Sequence, residues 1–149
     1  MENSLQLVQS LKGLFASQSL AVLATQSAGQ PYGNLVAFVA TEDLKYFLFA
    51  TDRSTRKFAN VTGNPRVAMV IDNRSNKVED FQEAIAVTVT GKVEEVHGAD
   101  KGASLERYLT KHPNLKTFVT SPNCALLRIG VETYYVVGKF QDVTVMSMR

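Results

Sequence analysis

The chain has 149 residues, of which 45% are hydrophobic and 20% charged, and it contains one cysteine, Cys124. This composition excludes collagen-like, disordered and disulfide-stapled classes, and it predicts a single folded domain over residues 1–149. The 16 basic and 14 acidic residues leave a net charge of +2, which is too small to bind nucleic acid or an anionic membrane through general electrostatic attraction.

The stretch between Lys12 and Glu42 carries no charge, which raises the question of a membrane segment. Glutamines, glycines and a proline interrupt it, and no apolar run approaches the roughly 20 residues that a spanning helix needs. A secretory signal is not expected either, because Glu2 precedes the first cation and the apolar run is short. With one unpaired cysteine, these features predict a cytoplasmic protein.

The first third of the chain predicts one helix followed by a meander of strands. Within residues 3–15, the apolar residues Leu5, Val8, Leu11 and Phe15 recur at helical spacing. Three β-rich runs follow, separated by a turn with Gly29 and Pro31 and by a polar bend; they cover residues 20–25, 34–40 and 45–50.

The middle third predicts a helix between strands. A helix is expected over residues 52–61, with Phe58 and Val61 on one face, and Gly63 and Pro65 follow it. Residues 66–71 then predict a strand, and residues 84–96 a strand with a bulge or tight bend at Gly91. Between them, residues 72–83 predict a charged mobile loop, for which a solvated connector is favoured and a lid stays open as the alternative.

The last third predicts a helix over residues 100–111, with Leu105, Tyr108 and Leu109 on one side, and two strands within residues 125–145. At least six short strands with a few inserted helices are typical of a small closed sheet. The predicted fold is therefore mainly β, a six-stranded antiparallel barrel decorated by helices.

Nothing in the sequence forms a recognisable catalytic or metal-binding set. His97 and His112 are far apart and have no cysteine or acid at metal-ligand spacing, so surface histidines are expected. Cys124 is expected to be a small buried residue, and the adjacent Glu94 and Glu95 a solvated pair on opposite strand faces. We therefore predict no catalytic residue and no metal site. Any reactivity would come from a cofactor.

The junction between the strand at 45–50 and the next helix is the informative place. From Arg53 to Ile71 every charged residue is basic, so positive charge is left uncompensated there. Arg56 and Lys57 fall in the first helical turn, where cations oppose the helix dipole unless an anion binds. Arginine matches phosphate oxygens bidentately and lysine adds a point charge. The pattern is explained either by a phosphate site or by a solvated basic turn.

Two further features describe what such a phosphate would belong to. Thr51, Ser54 and Thr55 offer hydroxyl groups at the same junction. The preceding strand, residues 34–40, is almost continuously apolar and includes the small Ala37, so it forms a smooth surface for a flat ring whose polar edge the backbone can bind. The residues thus predict a phosphorylated aromatic cofactor.

The order of these motifs resembles the pyridoxamine 5′-phosphate oxidase-like family of FMN-binding split barrels. The resemblance rests on a strand ending in Phe-Ala-Thr at residues 49–51, the Thr-Arg-Lys of residues 55–57 and the Asn-Pro-Arg-Val of residues 64–67. It covers roughly residues 20–96, with a weaker likeness at residues 134–140.

The resemblance implies an FMN-type split β-barrel that assembles as a homodimer with FMN at the interface. It implies that Thr55, Arg56 and Lys57 bind the phosphate, that Thr51 lines the site, and that the strand at 34–37 lies beside the isoalloxazine. The candidate cofactor-binding residues are Asn34, Leu35, Val36, Ala37, Ala50, Thr51, Ser54, Thr55, Arg56 and Lys57.

The resemblance also implies an oxidoreductase that transfers a hydride or electrons between its flavin and a small-molecule substrate. True pyridoxamine phosphate oxidases end in a basic segment with Trp and Arg, whereas this chain has no Trp and ends in MSMR, so that specific activity is not expected. Flavin reductase, deazaflavin-dependent reductase and haem-utilisation activities stay open. A non-enzymatic flavin or haem carrier or sensor is the main alternative, with His97 or His112 as axial ligand. A structural dimer with a vestigial pocket is a third.

Overall fold

The computed structural model describes residues 4–148. The strands are β1 (Leu20–Ser27), β2 (Gln30–Ala40), β3 (Tyr46–Asp52), β4 (Arg66–Asp72), β5 (Ile85–Glu95), β6 (Cys124–Gly138) and β7 (Asp142–Ser147). The helices are α1 (Ser4–Ser17), α2 (Arg56–Gly63), α3 (Asp80–Glu83), α4 (Ala99–Lys111) and α5 (Lys116–Val119), with a 3₁₀ turn at Pro113–Leu115. Within these residues no helix has the length and apolarity needed to cross a bilayer.

The strands form a closed antiparallel barrel with one added strand. Their order is β3-β2-β1-β4-β5-β6-β7, and a further β3–β6 pairing closes the first six into the barrel. The long β6 makes this possible, because its first half pairs with β3 and its second half with β7. The predicted six-stranded antiparallel barrel is confirmed, with β7 as an extension along one edge.

The closed barrel splits at one end, where β2 and β3 separate. The β1–β2 register covers eight residue pairs, whereas β2 and β3 pair only from Phe38 to Ala40. Beyond Phe38 the two strands diverge, and β3 continues along β6 as far as the Asp52–Cys124 pair. This opening leaves one edge of β2 without a neighbouring strand at the end of the barrel where α2 lies.

Gly91 lies at the predicted bulge in β5, where the register with β6 shifts between Thr90 and Gly91. A Cβ atom on Gly91 would lie 2.1 Å from the carbonyl oxygen of Gly130 on β6. Because no side chain fits there, glycine is what allows β5 to bend around the barrel.

Aromatic rings fill the barrel beneath α1. Phe15 of α1 lies 4.9 Å, centroid to centroid, from Phe47, and both pack with Phe38 and Tyr134. The buried Tyr134 hydroxyl donates to the carbonyl of Leu44 at 2.7 Å. A second apolar cluster lies outside the barrel under α4 and α5; it consists of Val39, Leu48, Ala50, Val96, Tyr108, Val119, Cys124 and Leu126.

Several element boundaries differ from the prediction. In α1 the buried stripe is Leu7, Leu11, Leu14 and Phe15, whereas Leu5 is 69% exposed. The helix predicted from residue 52 begins at Arg56, because residues 52–55 form a hydrogen-bonded turn. The loop predicted over residues 72–83 contains the short helix α3.

Candidate functional site

The turn between β3 and α2 is held by one carboxylate. Asp52 Oδ1 accepts hydrogen bonds from the Ser54 backbone N–H (2.9 Å), the Ser54 hydroxyl (2.6 Å) and the Asn123 side-chain amide (2.8 Å). These bonds, the Ser54 hydroxyl first, lower the pKa of Asp52 below its usual value. Asp52 therefore stays ionised and shapes the turn, rather than acting as a base.

Two threonine hydroxyls meet at the start of α2. Thr55 is the N-cap, and its hydroxyl oxygen accepts from the Phe58 backbone N–H at 3.3 Å. The same oxygen lies 2.8 Å from that of Thr51, which is buried at the end of β3. Since an N-cap side chain satisfies only one of the first N–H groups, those of Arg56 and Lys57 have no acceptor within the helix.

The sequence pattern leaves Arg53 uncompensated, but the structure pairs it with Glu95. Arg53 Nη1 donates to Glu95 Oε1 at 2.9 Å and Arg53 Nη2 to Glu95 Oε2, which lowers the pKa of Glu95. Glu94 pairs with Arg128 at 2.6 Å. The two glutamates lie on opposite faces of β5, as predicted, and the Glu94 side chain is 59% exposed, but each acid also forms an ion pair that the sequence did not predict.

Arg56 and Lys57, unlike Arg53, form no ion pair within the described part of the chain. No carboxylate within residues 4–148 lies within 4.0 Å of either side chain. The Arg56 guanidinium lies 5.8 Å from the centroid of the Tyr32 ring, and Lys57 is partly buried, which lowers the pKa of its ammonium group. Two cations at a helix N-terminus without a neutralising acid are suited to binding a phosphate.

Strand alternation divides the four predicted residues of β2 between two faces. Asn34 shares the inner face with the buried Val36, whereas Leu35, 62% exposed, shares the outer face with Ala37. The carbonyl oxygen of the Asn34 side chain is buried and has no hydrogen-bond partner among residues 4–148. A buried acceptor without a donor is costly, so this oxygen is suited to a donor from a ligand.

The open edge of β2 is partly covered by α4. The Tyr108 hydroxyl donates to the carbonyl of Ala37 at 3.2 Å. The Thr41 backbone N–H donates to the carbonyl of Tyr46, the first residue of β3. In an antiparallel strand the peptide groups of alternate residues point toward the same neighbouring strand, so those of Leu35 and Ala37 point to the same side as that of Thr41. The peptide groups of Leu35 and Ala37 therefore point into the opening, where β3 has already turned away.

The structure brings five predicted residues together and separates others. Thr51, Ser54, Thr55, Arg56 and Lys57 lie within one turn and the start of α2. Ala50, in contrast, packs into the cluster under α4, on the opposite face of β3 from Thr51.

Three residues that bear on the site were not predicted. Tyr32 lies two positions before Asn34, so strand alternation could have placed it on the same face. Glu95 and Tyr108 are too distant in sequence for any local pattern to connect them with the site.

The histidines and the cysteine lie apart from this turn. His97 is exposed, but His112 is partly buried with Nε2 2.7 Å from the Phe38 carbonyl, so the prediction of a surface position was wrong for His112. Cys124 is buried, as predicted, and burial raises the pKa of its thiol. A protonated, enclosed thiol is a poor nucleophile.

Comparison with known protein families decides the classification. Residues 7–138 match the family model described as pyridoxamine 5′-phosphate oxidase. The chain belongs to this family. A search of curated proteins found no significant match to this sequence.

Solved structures agree with the family fold. A haem-binding protein from Mycobacterium smegmatis superposes with a TM-score of 0.85 at 16% identity; the match covers 99% of this chain but only 59% of that protein. General Stress Protein 26 from Bacillus anthracis has a TM-score of 0.74 at 19% identity, covering 96% of this chain and 99% of that one. A Clostridium acetobutylicum protein related to general stress protein 26, of the pyridoxinephosphate oxidase family, has a TM-score of 0.74 at 14% identity, with 96% and 95% covered. At these identities the likeness establishes the shared barrel.

Proposed function

We propose that this family member binds FMN, with the phosphate at the N-terminus of α2. The observation that carries the proposal is the pair Arg56 and Lys57, two cations in the first helical turn with no carboxylate in reach among residues 4–148. A phosphate there would accept from both side chains and from the first N–H groups of the helix. Hydrogen bonds to charged groups contribute about 1.5–3 kcal/mol each, so removal of either cation should weaken phosphate binding measurably.

The neighbouring polar groups fit the rest of that cofactor. The buried Asn34 oxygen needs a donor, and a flavin carries both ribityl hydroxyls and a ring N–H. The peptide groups of Leu35 and Ala37 in the opening offer donors and acceptors to a polar ring edge. The hydroxyls of Thr51 and Thr55 lie beside the proposed phosphate position.

The proposed activity is a flavin-dependent oxidoreduction of a small molecule. When bound, FMN supplies hydride or electron transfer at its ring. The protein's own residues bind and orient it: Arg56 and Lys57 hold the phosphate, and β2 aligns the ring. Asp52 and Glu95 are held ionised by their hydrogen bonds, so neither is assigned a proton-transfer role.

We further propose that two copies assemble through the outer face of the sheet. Registered pairs form a row across six strands, none of whose members is charged: Leu35, Val22, Val70, Thr88, Tyr135 and Val145. Leu35, Tyr135 and Val145 are 62%, 40% and 59% exposed. An apolar row of this width is typical of an interface. Leu35 would bring the strand proposed to lie beside the flavin ring to that interface.

We further propose that the protein is cytoplasmic, because its free cysteine would stay reduced there.

Haem binding is the second candidate. It is favoured by the likeness to the mycobacterial haem-binding protein and by His97, which is exposed directly after β5. The imidazole of His112 is already hydrogen-bonded to the Phe38 carbonyl, so His97 is the better axial ligand. A Soret band that appears with added haem and is lost in His97→Ala would support this candidate over FMN.

The FMN proposal is tested by titrating the purified protein with FMN and following flavin fluorescence. We expect one FMN per chain and an affinity at least about tenfold weaker in Arg56→Ala, since one charge-assisted contact is lost. Lys12→Ala, which removes a lysine of α1 that is paired with Glu42, serves as the control and should bind like the wild type, because neither residue lies in the turn before α2 or in the outer row of the sheet. Equal binding by wild type and Arg56→Ala, or none by either, would refute the site.

A further inference from the structure

A second group of cations lines two cavities at the far end of β2. Their volumes are about 260 and 480 Å³, and they adjoin because Val39, Arg107 and Lys111 line both. The walls come from the end of α1, the residues that follow β2, and α4. We call this space the basic pocket.

Lys111 is the more enclosed of its cations. Its ammonium group donates to the Phe15 carbonyl at 2.8 Å and lies 3.9 Å from the centroid of the Phe38 ring. The ammonium group caps this carbonyl near the end of α1 and is attracted to the ring face, but neither the carbonyl nor the ring carries a neutralising charge. Burial lowers the pKa of this group to about 8.

Arg107 lies one helical turn before Lys111 on the same face of α4. Its only hydrogen bond in the described structure, from Nη1 to the Ala40 carbonyl, is 3.5 Å long and therefore weak. Of the acids that line the pocket, Glu42 is paired with Lys12 at 3.0 Å, and Glu106 forms no ion pair with Arg107 or Lys111 in the described structure. The guanidinium thus has no anionic partner within residues 4–148.

We propose that the basic pocket binds a small oxyanion, a phosphate or carboxylate group, between the Arg107 guanidinium and the Lys111 ammonium. A planar guanidinium offers paired N–H donors to two oxygens, and the ammonium adds a point charge. The pocket is distinct from the site at α2. Its lining begins at Val39, five residues and roughly 17 Å along β2 from Asn34, and none of its lining residues belongs to the turn before α2.

The proposal is tested by amide NMR on the complete chain carrying Arg56→Gln, so that the site at α2 is disabled. Inorganic phosphate and malonate are titrated separately at constant ionic strength. We expect saturable shifts at the amides of residues 39–42 and 103–111 with at least one anion. Arg107→Gln should weaken that binding at least about tenfold. Lys101→Gln, which removes an exposed charge from the same helix outside the pocket, should not change it.

The possible results separate cleanly. Binding of phosphate alone supports a phosphoester ligand, binding of malonate alone a carboxylate ligand, and either supports the pocket. The absence of amide shifts with both anions would overturn the proposal. Equal weakening of binding by Lys101→Gln and Arg107→Gln would also overturn it, because the general positive charge of α4 would then explain the binding. Neither failure bears on FMN binding at Arg56 and Lys57, which is measured separately.

Discussion

At the scale of single residues, Thr55 connects folding to the proposed site. Its hydroxyl caps α2 and contacts that of Thr51, so one side chain fixes where the helix begins and where its N–H groups point. Thr55→Ala should lower the free energy of unfolding by about 1 kcal/mol in urea denaturation. Thr62→Ala, an exposed change in the same helix, is the control and should cost less. Equal losses of unfolding free energy in the two variants would show that the Thr55 cap does not stabilise the helix.

Lys111 predicts a pH effect on stability. Its folded pKa of about 8 lies below the ordinary lysine value of 10.5, so between these values the unfolded chain binds the proton more tightly. This contribution to the free energy of unfolding should therefore rise as pH increases from about 8 toward 10.5, since the cost of burying the cation disappears. In Lys111→Gln the rise should be absent when urea denaturation is repeated across this range. A wild type and variant with parallel pH profiles would contradict the argument.

The residue-level site could be predicted where its members are close in sequence. Thr51 to Lys57 fall within one strand-to-helix junction, and helix electrostatics alone indicates an anion there. The sequence could not show that Arg53 is neutralised by Glu95 from β5, or that Tyr108 of α4 reaches Ala37. Those contacts depend on how the barrel closes.

At the scale of elements, the β5 bulge is the position that tolerates a side chain least. Gly91→Ala would place Cβ 2.1 Å from the Gly130 carbonyl oxygen, so either β5 or β6 must move. We expect a loss of about 3 kcal/mol or more in the free energy of unfolding, or failure to fold. Gly130→Ala is the matched control, because its Cβ has no neighbour nearer than 3.8 Å. Similar stabilities for the two variants would contradict this account of the bulge.

Hydrophobic periodicity correctly predicted most elements as helix or strand, because each buries one of its faces. Its errors in buried residues and boundaries have local causes. In α1 two overlapping stripes compete, and the one containing Leu7 and Leu14 is buried while Leu5 faces solvent. In α2 the predicted start fell early because Asp52, a good turn former, satisfies its own following backbone through residue 54.

At the scale of the whole molecule, periodicity predicted at least six strands, and the described structure has seven, but it could not predict how they close into a barrel. The β3–β6 pairing joins residues about 80 positions apart, which no local period can show; strand count and the Gly91 bulge only favour a barrel. The family resemblance supplied the rest. The resemblance also implies a dimer, and the uncharged outer row across six strands is the interface that we propose for it.

The proposed dimer predicts a specific loss of association. Tyr135→Asp, near the middle of the outer row, should convert the dimer to a monomer in light scattering at micromolar concentration, because a charge would be buried unpaired. Phe118→Asp changes an aromatic residue of matching exposure, 41% against 40%, outside the row and should leave the dimer intact. Monomeric wild type, or a dimer that tolerates Tyr135→Asp, would contradict the interface.

The most direct measurement of the central claim compares FMN with riboflavin, which lacks only the phosphate. We predict that the wild type binds FMN more tightly, and that Arg56→Gln with Lys57→Gln abolishes this preference while leaving riboflavin affinity unchanged. The phosphate contacts should be worth roughly tenfold or more in affinity. An FMN preference that survives the double substitution would show that the phosphate binds elsewhere.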